Sequence, residues 1–141
     1  MNVEIFGGEL GKEVKEILKK QLPDLNIRFH DSKEEYIMLH QEHHNEICCV
    51  FQNGRIAAEL INKGFRTLSC GFSSYDTLVI SSSKIEKAVV SLQRKIYTLS
   101  GQLLEPADYL IDKRNDYSDT VLLFSVAVLL LLDYGQPMFS F

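Results

Sequence analysis

The chain has 141 residues and a mass of 16.1 kDa, one domain's worth, with no room expected for a second independent core. Hydrophobic residues make up 45% and charged ones 24%, with 8 Gly and only 3 Pro, which excludes disorder, collagen and low complexity. Nineteen acidic against 15 basic residues leave a net charge of −4, so no chain-wide attraction to nucleic acid or anionic lipid is available.

In chain order, Val3, Ile5 and Phe6 predict a short strand that stops at Gly7-Gly8. Leu10, Val14, Ile17, Leu18 and Leu22 follow at helical spacing until Pro23 breaks the pattern. Leu25, Ile27 and Phe29 then alternate with polar neighbours as a strand does. This β-α-β order over residues 1–45 predicts a parallel pair joined by a crossover helix. Asp31 to Glu46 is polar and illegible, apart from a short apolar element at Tyr36, Ile37, Met38 and Leu39. Ile47 to Phe51 is apolar without alternation, as in a strand covered on both faces. After Gln52-Asn53-Gly54, a helix is expected with Ile56, Ala57, Leu60 and Ile61 on one stripe and Gly64 as its left-handed cap. Arg66 to Cys70 completes a second βαβ unit.

From Ser69 the period changes. Extended segments at Asp76–Ile80, Ala88–Leu92, Leu103–Leu104 and Tyr109–Ile111 are separated by Ser-rich, Gly101 and Pro106 breaks, which predicts antiparallel hairpins. Asn115 to Asp119 offers several N-caps for a closing helix through Asp133, with Gly135 as the expected stop. That helix is apolar nearly all round, hence central or covered by a partner. The fold class expected is α/β: a three-layer Rossmann-like sheet with parallel βαβ units in the first half, antiparallel hairpins in the second and a closing apolar helix.

Val121 to Leu132 is too short for a bilayer, which takes about 20 apolar residues, so no membrane span is expected. Cys48, Cys49 and Cys70 are an odd set, with two adjacent; free buried thiols in a reduced cytosol are the expectation. The opening MNVEIFGG has no basic leader, so no secretory signal is read there.

Gly7-Gly8-Glu9-Leu10-Gly11-Lys12 lies between strand and helix, where backbone amides can cradle an anion. The pattern fails both nucleotide motifs: Phe6 occupies the first glycine position of each, and Glu13 stands where a Walker loop has Ser or Thr. A plain turn outweighs an anion site. His40, His43 and His44 have zinc-like helical spacing, but no Cys/His partners follow, so a solvated surface is expected and no metal is assigned. The stretch Ser69-Cys70-Gly71-Phe72-Ser73-Ser74-Tyr75-Asp76-Thr77 is the most distinctive: a glycine after a buried strand, then small polar residues, makes a turn with free amides and hydroxyls. An Arg94–Glu105 pair is expected to fasten the neighbouring hairpin.

Cys49-Val50-Phe51-Gln52-Asn53 through Leu60 to Thr67-Leu68-Ser69-Cys70-Gly71-Phe72, then Asp76-Thr77, resembles the late part of the central domain of Mur ligases. Those enzymes join amino acids to peptidoglycan precursors using ATP. The resemblance covers about residues 46–135 and extends to small bacterial proteins carrying just this portion, with Cys-Gly-x-Ser-x-x-Asp-Thr and Gln-Arg features. The family's nucleotide loop and the acidic ligands for magnesium have no counterpart here. Asn115, Asp116 and Asp119 stand where the family's adenine-contacting amides begin the closing helix. Phosphoryl transfer depends on such charges, so the resemblance implies a non-catalytic, cytoplasmic domain without cofactor. It would act by binding a protein partner or a second copy in cell-envelope or sporulation processes.

Two surfaces are candidates. Leu130, Leu131, Met138, Phe139 and Phe141, the last three in the apolar tail 136–141, form a candidate partner or homodimer interface, since exposing them is costly. Gly7, Gly8, Asn53, Gly54, Cys70, Gly71, Ser73, Ser74 and Asp76 form a candidate ligand site at strand carboxyl ends. They serve the rival reading, a small-ligand or nucleotide-binding enzyme.

Overall fold

Hydrophobic alternation in the first strands dictates what the helices cover. The computed structural model describes residues 2–41, 44–51 and 54–141. Among them the fold is mixed α/β, with three helices and both parallel and antiparallel strand pairs. Contacts divide the chain into two compact units, Met1–Ser69 and Cys70–Phe141.

In the first unit, β1 (Asn2–Gly7) runs parallel to β2 (Asn26–Asp31), with α1 (Glu9–Gln21) as the crossover. The other edge of β1 pairs antiparallel with β3 (Tyr36–Gln41), which pairs antiparallel with β4 (His44–Phe51). β4 then runs parallel to Arg66–Ser69 of β5 (Arg66–Gly71) through α2 (Gly54–Asn62). Both expected βαβ units are present, and the illegible segment supplies β3. Its side chains alternate: Ile37 and Leu39 are buried, whereas Tyr36, Met38 and His40 are half-buried.

Helix α1 buries Gly11, Val14, Ile17 and Leu18, and charge in its end turns, Glu9 first and Lys19 and Lys20 last, suits the helix dipole. Gly11 is a spacing residue. A Cβ there would lie 3.1 Å from Ile5 of β1 and 3.0 Å from Phe29 of β2, so its absence sets how closely the helix approaches the sheet. Helix α2 packs Ile56 and Leu60 on Cys49, with Tyr36, Met38, Ala57 and Phe65 around them. It ends as expected at Gly64, at φ 86°. Amides of Gly64 and Phe65 bond back to Ile61 and Leu60, both at 2.9 Å, which is a Schellman cap.

In the second unit, Cys70–Gly71 of β5 lies parallel beside β6 (Leu78–Ser83), followed by antiparallel β7 (Lys87–Leu92) and β10 (Ala107–Asp112). A separate ribbon pairs β8 (Ile96–Tyr97) with β9 (Leu103–Leu104). The expected hairpins are therefore present. α3 (Asp119–Leu131) crosses over from β10 to β11 (Met138–Ser140), which pairs parallel with β10.

Ser118 is the N-cap of α3, accepting from the Val121 amide. The side chains of Lys113, Ser83 and Asp119 fasten this helix start to the β6–β7 turn: Ser83 donates to Asp119 at 2.7 Å and Lys113 to Ser83 at 2.9 Å. Every residue from Val121 to Leu132 is buried. No described helix is long and apolar enough to cross a membrane.

Two expectations change here. The apolar tail is folded in: Phe139 of β11 and Phe141 just past it are buried in this chain, and Leu130 and Leu131 are likewise covered. Of the five candidate interface residues, Met138 alone is exposed, at 54%. The closing helix also stops before Gly135. Asp133 takes the left-handed conformation at φ 66°, with its amide bonded to Leu130 O at 3.2 Å and that of Tyr134 to Leu129 O at 2.8 Å. An aspartate tolerates that conformation less well than glycine and sets a negative charge at the negative end of the dipole. Asp133→Gly should therefore stabilise the protein by about 0.5–1 kcal/mol. A urea midpoint that stays level or falls would disprove this account of the helix end.

Candidate functional site

Parallel neighbours normally need a crossover of a dozen or more residues, yet β5 and β6 are joined by Phe72–Thr77 alone. Their overlap is correspondingly short: Cys70 opposite Leu78 and Gly71 opposite Val79. A connection this tight leaves carbonyl groups that neither strand can satisfy. Gln93 and Arg94, just past β7, satisfy them. Gln93 Nε2 donates to Asp76 O at 2.7 Å and approaches Ser73 O at 3.4 Å, while its amide donates to Thr77 O at 2.8 Å. Arg94 donates from Nη1 to Tyr75 O at 2.8 Å and from Nη2 to Ser74 O at 3.4 Å. Five consecutive carbonyls, from Ser73 to Thr77, are thus held by two residues.

The amides of the same loop are also engaged. Asp76 Oδ2 accepts from the Ser73 amide at 3.2 Å, Ser73 Oγ from the Tyr75 amide at 3.1 Å, and Ser73 O from the Asp76 amide at 3.0 Å. The Asp76 carboxylate lies directly over Gly71, where a Cβ would collide with it. This explains the glycine at the end of the strand: it leaves room for the carboxylate. Beside it Cys70 is fully buried, and burial, then the Asp76 charge, pushes its thiol well above the ordinary range. Such a thiol is a poor nucleophile. The free amides expected of this turn are therefore consumed at Ser73, Tyr75 and Asp76, and the loop turns outward two large rings, Phe72 at 58% and Tyr75 at 86% exposure. The expected Arg94–Glu105 pair does not form, because Arg94 is committed to the loop; Glu105 faces Lys95 instead, at 3.8 Å.

The remaining candidates belong to the first unit. Gly7 ends β1 and Gly8 is the N-cap of α1, with no side-chain cap and open space where a Cβ would be. Glu9 opens the helix, and Glu35 lies 3.5 Å from the position of a Gly7 Cβ, so carboxylates border this helix end. Gly54 begins α2. Asn53 and His43 lie outside the described residues.

Comparison with protein-family models, curated proteins and solved structures gives no match.

One cluster escaped the sequence reading. Glu4 of β1 sits between His30 of β2 and His40 of β3, its Oε1 3.1 Å from His30 Nε2 and its Oε2 2.6 Å from His40 Nε2. His30, Phe6 and Tyr36 stack across the same three strands with ring centroids 4.5 and 4.4 Å apart. His40 therefore acts from β3, and His44 begins β4. The signal was present as period-two spacing, since Glu4 and Phe6 share a face of β1, but the partners of Glu4 lie 26 and 36 residues away. Among the described residues no group of three His, Cys, Asp or Glu is arranged to hold a metal ion.

Burial alone would raise the Glu4 carboxyl, but hydrogen bonds from His40 and His30, with their charge, outweigh it and hold the group below its ordinary value of 4.5. A lowered carboxyl contributes stability that is complete above the ordinary value and is lost as pH falls through the lowered one. Glu4→Gln should remove that contribution, so the stability gap between the two proteins should narrow as pH falls from about 5.5 to 2.5. Parallel stability curves between pH 5.5 and 2.5 would refute it. In the second unit, Gly71→Ala should displace Asp76 and cost about 1–3 kcal/mol in urea denaturation; a change under about 0.5 kcal/mol would mean that the close approach is dispensable.

Proposed function

We propose that this protein is a non-catalytic, cytoplasmic relative of the Mur ligase central domain that acts by contact with a protein partner, in a Rossmann-like three-layer arrangement of helices about the sheet. The observed order strand, helix, strand, loop, hairpins and apolar helix over residues 44–131 supports the resemblance. The observation that carries the reading is the Phe72–Thr77 loop. Its polar groups hold the loop itself, and what it offers outward is a pair of aromatic rings on a pinned backbone. Rigid, exposed aromatics are the side chains that anchor protein interfaces at least entropic cost. As the resemblance implies, the partner belongs to cell-envelope or sporulation work.

The rival is a small-ligand or nucleotide-binding enzyme at the strand carboxyl ends. The open, uncapped start of α1 at Gly8 favours it; the neighbouring Glu9 and Glu35 oppose an anion there.

A photoreactive residue replacing Tyr75 in living cells should yield one discrete protein adduct, whereas the same residue at exposed Glu16 should not. Equal labelling from both positions, or none from position 75, would count against the contact reading. In parallel, nucleotides with magnesium should neither be hydrolysed nor stabilise the protein. A ligand at a hundredfold over its dissociation constant would add about 2.7 kcal/mol, so stabilisation of that size, or magnesium-dependent ATP hydrolysis, would establish the rival.

A further inference from the structure

The outer surface of the second unit's sheet carries a second feature, separate from the loop. Cross-strand register aligns Ser82 of β6, Val89 of β7, Leu110 of β10 and Met138 of β11 in one row. A two-for-one irregularity at Ser81 brings Ser82 opposite Val89. Leu110 and Met138 are 49% and 54% exposed, so this is an apolar row left open to water. It floors a shallow cavity of about 200 Å³ that also involves Lys84 and Lys87.

The polar part of the cavity's lining is Ser82, Lys84, Lys87 and Asp112. Outside that lining, beyond Val89 and Leu110, Ser91 Oγ donates to Asp108 at 2.7 Å. Within the lining, Lys87 of β7 is in register with Asp112 of β10, and Lys84 lies beside them. Asp112 is taken by Arg114 Nε at 2.8 Å, and Lys113 by Ser83 and the Lys84 carbonyl. Lys84 and Lys87 are exposed and form no ion pair among the described residues. An apolar floor is thus bordered by two ammonium groups that no ion pair among the described residues engages. A neutral apolar occupant would leave the lysines unused, and a cation would meet them head-on.

The geometry points to a binding site for a small alkyl carboxylate, its chain lying over Val89, Leu110 and Met138 and its carboxylate between Lys84 and Lys87. Charge complementarity and apolar burial act on different parts of one molecule, so removing either should weaken binding separately.

Octanoate is the probe, and the full chain labelled at its methionine methyl groups reports binding by NMR, with Met38 of β3 as the internal control. Octanoate should shift the Met138 methyl resonance saturably and leave Met38 unmoved. Octanol should bind roughly fivefold more weakly, and the Lys84→Ala/Lys87→Ala double variant should weaken octanoate by a similar factor. Leu110→Asp, at an exposed position, should abolish the shift without loss of fold by circular dichroism. The site is refuted by no saturable shift at Met138, by equal affinity for octanol and octanoate, or by unchanged affinity in the lysine double variant.

Discussion

Satisfaction of backbone carbonyls in the Phe72–Thr77 connection is the constraint on which the second unit depends. A chain that places two parallel strands side by side with six residues between them must reverse direction twice in that space. Each reversed peptide presents a carbonyl that no ladder can reach. Fork-shaped donors answer this well, and Arg94 and Gln93 reach Ser73 to Thr77 from the end of β7. The Gln-Arg and Cys-Gly-x-Ser-x-x-Asp-Thr features, far apart in sequence, are thereby two halves of one fastening. Gly71 belongs to it because the Asp76 carboxylate needs the space a side chain would fill.

The first unit rests on a different economy. Gly11 lets α1 come down on Ile5 and Phe29, while Ile37 and Leu39 of β3 extend the buried alternation begun by Val3 and Ile5. The less buried face is organised by side chains with both apolar and polar character. Phe6 stacks between His30 and Tyr36, and Glu4 draws His30 and His40 together. A half-covered sheet face of this kind holds register through cross-strand pairs as much as through burial.

Local signals in the sequence were legible and distant ones were not. The strand–helix–strand units, the Gly64 cap and the hairpins after residue 77 follow from periodicity and turn chemistry, which act within a few residues. β3 was obscure because its half-buried face carries Tyr36, Met38 and His40, so apolar residues run together and mask the alternation. β11 was missed because Met138–Ser140 is only three residues long, too short for any period, and its apolar side chains read equally as an exposed patch. In the candidate site, the glycine and the loop were visible, but the use of their polar groups was not: partners 17 to 20 residues away consume them. The helix stop shifted from Gly135 to Asp133 for a related reason. A left-handed residue is demanded where the last turn closes, whatever residue stands there.

The enclosure of Cys70 has a bearing on how the molecule meets its chemical surroundings. Thiolate, not thiol, attacks disulfides and peroxides, and this sulfur is shut away from solvent, with burial and then the Asp76 charge pushing its thiol well above the ordinary range. Oxidants in solution therefore do not reach this position while the fold is intact. Covalent capture of that sulfur requires the second unit to open first, which makes its modification a record of unfolding events in the molecule's history rather than of oxidant exposure.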